Sequence, residues 1–170
     1  MWFEMRREEM GFIGRASVVH TAEARVAAPR SAVFGAFVDP ASWPSWFPSV
    51  RAVAYQTCAP YGVGTIRMAH VGITRWVEEI VAWDAERRWA WTVLRATVPL
   101  AMAQIESFEF ADDGDGTRVR WTLALEPRLL TRFGLPFMGR TITRLLVRAA
   151  QNLEAHLRTG GIPVARATGS

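Results

Sequence analysis

The sequence calls for an α+β domain, in which a seven-stranded antiparallel sheet curves around one long C-terminal helix. The helix is the clearest signal. Over residues 137–158, Met138, Ile142, Leu145, Leu146, Ala149, Leu153 and His156 recur at three- and four-residue steps, while Arg140, Arg144, Arg148 and Arg158 fall on the other side. The sheet is signalled by the run of strand-like segments before it, joined by short turns. The sharpest turn, Asp113-Gly114-Asp115-Gly116, is a hairpin signature, and consecutive hairpins make an antiparallel sheet. A sheet of that length has one apolar face to cover, and the helix has one apolar stripe to bury.

Each element follows in order. Residues 18–27 alternate, with Ala22, Ala24 and Val26 on one side and Thr21, Glu23 and Arg25 on the other, as in a half-buried strand. Pro29 suits the first turn of a helix, Val33, Phe34, Phe37 and Val38 give it a face, and Pro40 stops it just beyond Asp39. A second short helical piece carries Trp43, Trp46 and Phe47 between Pro44 and Pro48. Strands are predicted at 50–57, 64–70, 74–83, 88–96, 102–111 and 117–125. The domain is expected to span 17–158, with an N-terminal extension at 1–16 and a flexible tail at 159–170. Gly134-Leu135-Pro136 breaks the chain before the last helix, so 127–136 is either a gate beside a cavity or a plain helix-entry loop.

Composition narrows the function. All twenty basic residues are arginine, scattered among acidic ones with no basic run, which argues against nucleic-acid binding. The single cysteine, Cys58, permits no internal disulfide and suits a cytoplasmic location. No apolar run has the length of a membrane-spanning helix. His20, His70 and His156 lack metal-ligand spacing, and no nucleotide fingerprint or nucleophile elbow is present, so neither metal nor nucleotide cofactor is expected. Eight tryptophans exceed what a compact core encloses with every indole N–H satisfied, which points to rings lining a hollow.

Strand alternation nominates the walls of that hollow. Trp76, Glu78 and Ile80 share a face of the fourth strand, Trp89, Trp91 and Val93 of the fifth, and Val119, Trp121 and Leu123 of the last. Ile142, Leu145, Leu146 and Ala149 offer the helical wall. Glu78 is the sharpest polar candidate among these rings. It has three roles open to it: an ion pair with Arg67 or Arg95, a contact to a ligand, or a general acid. His70, near a strand end, is the other candidate for reaching a ligand or moving a proton. Arg140, Arg144 and Arg148 form a stripe suited to an anionic membrane or partner surface, or simply to solvent.

The order Ala28-Pro29, Val33-Phe34, Asp39-Pro40, Trp43, Trp46 and Pro48 resembles the opening of the polyketide cyclase/dehydrase branch of the START and Bet v 1-like superfamily. Glu78 with Ile80, Trp83-Asp84, Arg87-Arg88, Gly116-Thr117 with Val119 and Trp121, and Asn152-Leu153 continue the likeness from about residue 18 to 157. The resemblance implies a helix-grip fold, with two short helices after the first strand and a hydrophobic cavity between sheet and helix. It carries no catalytic motif across. The function expected is binding of a hydrophobic small molecule such as a lipid, quinone or polyketide-like aromatic. The alternatives are a cyclase or dehydratase using the same cavity, and a membrane- or partner-binding module using the arginine face.

Overall fold

From residue 50 onward the connections between strands are short enough to favour reversals, and each strand there pairs with its chain neighbour. The computed structural model describes residues 1–129 and 138–160. Its strands are β1 (Phe3–Glu4), β2 (Val18–Val26), β3 (Val50–Tyr55), β4 (Ile66–Val71), β5 (Thr74–Asp84), β6 (Arg88–Ala96), β7 (Ala101–Asp113) and β8 (Gly116–Pro127). The sheet runs β2-β8-β7-β6-β5-β4-β3, every pair antiparallel, with β1 added against β6. The seven expected strands are therefore present, and an eighth comes from the N-terminal extension. At the β7–β8 hairpin Gly114 has φ +65°, and a side chain on Gly116 would meet the Val26 carbonyl oxygen at 2.6 Å. Both positions need glycine.

Because β2 and β3 lie on opposite edges of the sheet, the chain between them must cross it. Two helices make the crossing, α1 (Arg30–Val38) and α2 (Trp43–Trp46). Val33, Phe34, Ala36 and Phe37 bury the inner face of α1. The bend between the helices is held by side chains: Ser42 Oγ donates to the Ala36 carbonyl at 2.6 Å and accepts from Trp46 Nε1 at 3.0 Å, while Trp43 Nε1 donates to the Phe37 carbonyl at 2.8 Å. These two buried indoles thus find their partners locally.

The long helix α3 (Met138–Arg158) packs chiefly on β2 and α2. Ile142, Leu146, Ala149, Ala150 and Leu153 are buried, Leu145 is half-buried, and Arg140, Arg144 and Arg148 are exposed, as the period requires. Asn152 Nδ2 donates to the Trp46 carbonyl at 3.0 Å, and Glu154 Oε1 accepts from the Ala27 amide at 2.7 Å. The helix is fastened at its C-terminal half. Residues 130–137, most of the segment read as gate or loop, lie outside the described residues, as do residues 161–170 of the tail.

The N-terminal extension has a definite place. Pairing between β6 and β7 covers only Arg88–Thr92 of β6, so the two strands part beyond it. Residues 3–6 fill the gap: Phe3 and Glu4 pair with Ala96 and Arg95, the Met5 amide donates to Leu94 and the Arg6 amide to Met102, both at 2.8 Å. The chain then crosses the outer face of the sheet. A short 3-10 turn, Met10–Gly14, seats Phe12, 1 % exposed, on Ala103, Ile105 and Ala124. Glu8 is buried beneath it, with Arg6 Nε at 2.6 Å and Arg15 Nη2 at 2.5 Å. Burial works against its charge, yet the two guanidiniums hold it below the usual carboxylate range.

Candidate functional site

The antiparallel register sets Arg67 on β4 opposite Glu78 on β5, with both side chains turned inward. Arg67 Nε donates to Glu78 Oε2 at 2.5 Å, and the two side chains are 2 % and 6 % exposed. The guanidinium lies over three indoles, its carbon 3.8 Å from the Trp91 ring centroid, 4.7 Å from Trp89 and 5.2 Å from Trp43. A guanidinium keeps its proton inside a protein, so Glu78 serves as its counter-charge. Burial pushes the Glu78 carboxyl up from its ordinary value and Arg67 pulls it back. Arg67 Nη1 is also buried and has no hydrogen-bond partner.

Beside this pair lies a cavity of about 170 Å³ between the sheet and α3. Trp43, Phe47, Trp76, Trp91, Phe108 and Trp121 give it aromatic walls, with Val50, Val53, Ala69, Val71 and Leu145 between them. Arg67, Glu78, Gln104 and Glu106 make its polar part. Trp91, Phe108 and Trp121 stack in sequence, each step 5.4 Å between centroids. That ladder holds the Trp121 indole where its N–H donates to Glu106 Oε2 at 3.0 Å, while Gln104 Nε2 donates to Glu106 Oε1 at 2.8 Å. Burial and the nearby Glu78 charge push the Glu106 carboxyl up to about 7, against the opposing pull of Arg67, Gln104 and Trp121. Glu106 is half-buried and lines the cavity.

Of the residues nominated from the sequence, Trp76, Glu78, Trp91, Trp121 and Leu145 come together on this cavity. The rest lie elsewhere. Trp89 is beneath the Arg67 guanidinium, and Ile80, Val93, Leu123 and Ile142 are packed into the core. Val119, Leu146 and Ala149 face a void of only about 10 Å³ beside Phe37 and Trp46, because the aromatic connector fills that end of the sheet. His70 occupies an even position on β4, whereas Arg67, Ala69 and Val71 line the cavity; strand alternation turns its ring to the other face. Arg95 meets the Trp2 ring at 5.1 Å instead of Glu78. Glu106, Gln104 and Phe108 were not nominated. The signal was the parity they share with Phe110, on a strand whose other face is also apolar.

Among the described residues, no His, Cys, Asp and Glu side chains gather in a group able to hold a metal ion. Nor is any described helix long and apolar enough to cross a membrane. An antiparallel sheet closed on a C-terminal helix, with an aromatic hollow between them, defines the helix-grip class. Within that class the chain belongs to the family described as polyketide cyclase / dehydrase and lipid transport, which matches residues 17–158. A START superfamily protein from Mycobacterium smegmatis shares the fold at TM-score 0.68 and 15% identity, over 83% of this chain and 97% of that one. The Zhui aromatase/cyclase from a Streptomyces species does so at TM-score 0.68 and 17% identity, over 85% and 98%. An uncharacterized protein of Mycobacterium tuberculosis is 28% identical over 94 residues, 54% of this chain. The chain spans about half the length, 56%, of the curated relatives it matches.

Proposed function

We propose that the protein binds a hydrophobic small molecule in the cavity between the sheet and α3. The observation that carries this reading is a hollow walled by six aromatic rings around three ionisable groups, the buried Arg67 and Glu78 and the half-buried Glu106. Filling that space with apolar side chains would serve stability as well or better, since a buried ion pair is seldom worth more than its hydrophobic replacement. Titratable groups with displaced pKa values gathered on an apolar pocket mark a site more often than a core. The test is Leu145→Trp, which enlarges a half-buried side chain on the cavity wall. Toluene, measured by calorimetry, is expected to lose at least tenfold in affinity for the variant while its circular dichroism stays that of the parent. Unchanged toluene binding by the folded variant counts against the site.

One observation favours an enzymatic second reading, a cyclase or dehydratase: Glu106, pushed up to about 7, is in the range a general acid needs at neutral pH. On that reading Glu106→Gln lowers turnover of an added polyketide-like ketone by roughly 10²- to 10⁴-fold with affinity kept. Undiminished turnover by the variant removes it. The cytoplasmic location expected from the lone Cys58 belongs to the same proposal.

A further inference from the structure

The polar part of the cavity is unbalanced in a way that specifies what enters. It holds one fixed cation, Arg67, and two carboxylates, of which Glu78 is hydrogen-bonded to that cation and Glu106 is not. Two charged carboxylates against one guanidinium would leave a net negative charge in an apolar enclosure, which a proton on Glu106 removes. Both side-chain groups that touch Glu106 donate to it: the Gln104 amide N–H and the Trp121 indole N–H. An indole nitrogen cannot accept. With Gln104 presenting its N–H, the proton of Glu106 has no acceptor among its hydrogen-bonded neighbours, just as two buried nitrogens of residues lining the same cavity, Arg67 Nη1 and Trp91 Nε1, have none. Three unmet donors thus belong to residues lining one small space, and each unmet donor is costly.

We infer that the cavity takes a neutral, single-ring compound bearing a carbonyl oxygen, with the oxygen accepting hydrogen bonds from Arg67 Nη1 and the protonated Glu106 and the ring lying among the indoles. The inference rests on the apolar-cavity reading above and adds the ligand's chemistry and size. Size comes from the volume: about 170 Å³ compares with the cavity of about 150 Å³ that accommodates benzene, so one substituted ring fills it. Neutrality comes from the charge count, since an anion would meet Glu78 and a cation would meet Arg67. The carbonyl comes from the unmet donors.

The test uses three probes with the full chain: acetophenone, its near-isostere ethylbenzene, which lacks the oxygen, and 2-acetylnaphthalene, which adds a fused ring. At pH 6, calorimetry is expected to show acetophenone binding at least tenfold tighter than ethylbenzene, with 2-acetylnaphthalene weaker than both. The acetophenone preference should survive in Glu106→Gln, whose amide still donates, and shrink in Glu106→Leu, where Arg67 remains as a donor. It should shrink as pH rises above 7, because Glu106 loses its proton; Arg67 from β4 and Glu78 from β5 are the charged groups that act on it. Equal affinity of the wild-type protein for acetophenone and ethylbenzene overturns the carbonyl while leaving an apolar site in place. Binding of neither overturns both readings together, and tight binding of 2-acetylnaphthalene overturns the single-ring limit. The wild-type comparison of the first two probes needs no variant to fold.

Discussion

Arg67 and Glu78 carry the largest single-residue consequence in the molecule, because each is buried on the assumption that the other is charged. Glu78→Gln takes from a guanidinium at 2 % exposure its hydrogen-bonded counter-ion, and breaking such a pair costs about 3–5 kcal/mol. Replacing both partners, as in Arg67→Met with Glu78→Met, should recover most of that loss in chemical denaturation, at the expense of the stacking on Trp91, Trp89 and Trp43. A double variant no more stable than Glu78→Gln would show that the indoles, not the ion pair, hold Arg67 in place. The pair was legible in the sequence as one of two options, since alternation turns Glu78 inward and leaves Arg67 or Arg95 as partner. Cross-strand register, which residue pattern alone does not give, selects Arg67. Glu106 was not legible because β7 is apolar on both faces. Ala103 and Ile105 on the outer side look like the core set, and Gln104 and Glu106 on the inner side look like the solvated one.

Elements read from periodicity match the structure to within a few residues, whereas the first sixteen residues offered no period to read. They form no long helix or strand of their own; their order comes from where β6 and β7 part and from the outer face of the sheet. Phe12 is the anchor. Phe12→Ala is expected to cost about 3–5 kcal/mol, the range for a buried aromatic cut back to a methyl, whereas a loose extension would tolerate it at no cost. Thermal unfolding of the full chain distinguishes the two, and hydrogen exchange should quicken at Ala103 and Ile105 before it does in β4 or β5. The salt links of Arg7 to Glu79 at 2.8 Å and of Arg6 to Glu8 at 2.6 Å bind the same segment, but their arginines are about half exposed and count for less. An outer covering also explains why β7 and β8 can afford apolar residues where an open sheet face would carry polar ones.

At the scale of the whole molecule, stability should fall as the solution turns from acid toward neutral, contrary to the common case. Glu106 is pushed up to about 7, so between the usual carboxylate range and that value the folded chain holds a proton that the unfolded chain has released. Its contribution is full at the acid end and lost as pH rises through 7, a swing of up to about 3 kcal/mol. Glu8, held low, works in the opposite direction and loses its contribution only as pH falls through its folded value. Denaturation midpoints at pH 5 and 8 test this: the difference should flatten in Glu106→Gln, and an unchanged slope there would assign it to other groups. The sheet's path has a separate consequence, in time. β2 has one long neighbour, β8, and the residues they align, Val18 with Leu125 through Val26 with Thr117, lie roughly a hundred positions apart, so that closing this pair means closing almost the whole chain into a loop. During synthesis β2 and the aromatic connector after it emerge early and wait for their partner until the final hairpin has left the ribosome, with Phe34, Phe37, Trp43 and Trp46 exposed in the interval. A nascent chain of this kind is one that holding chaperones would be expected to meet.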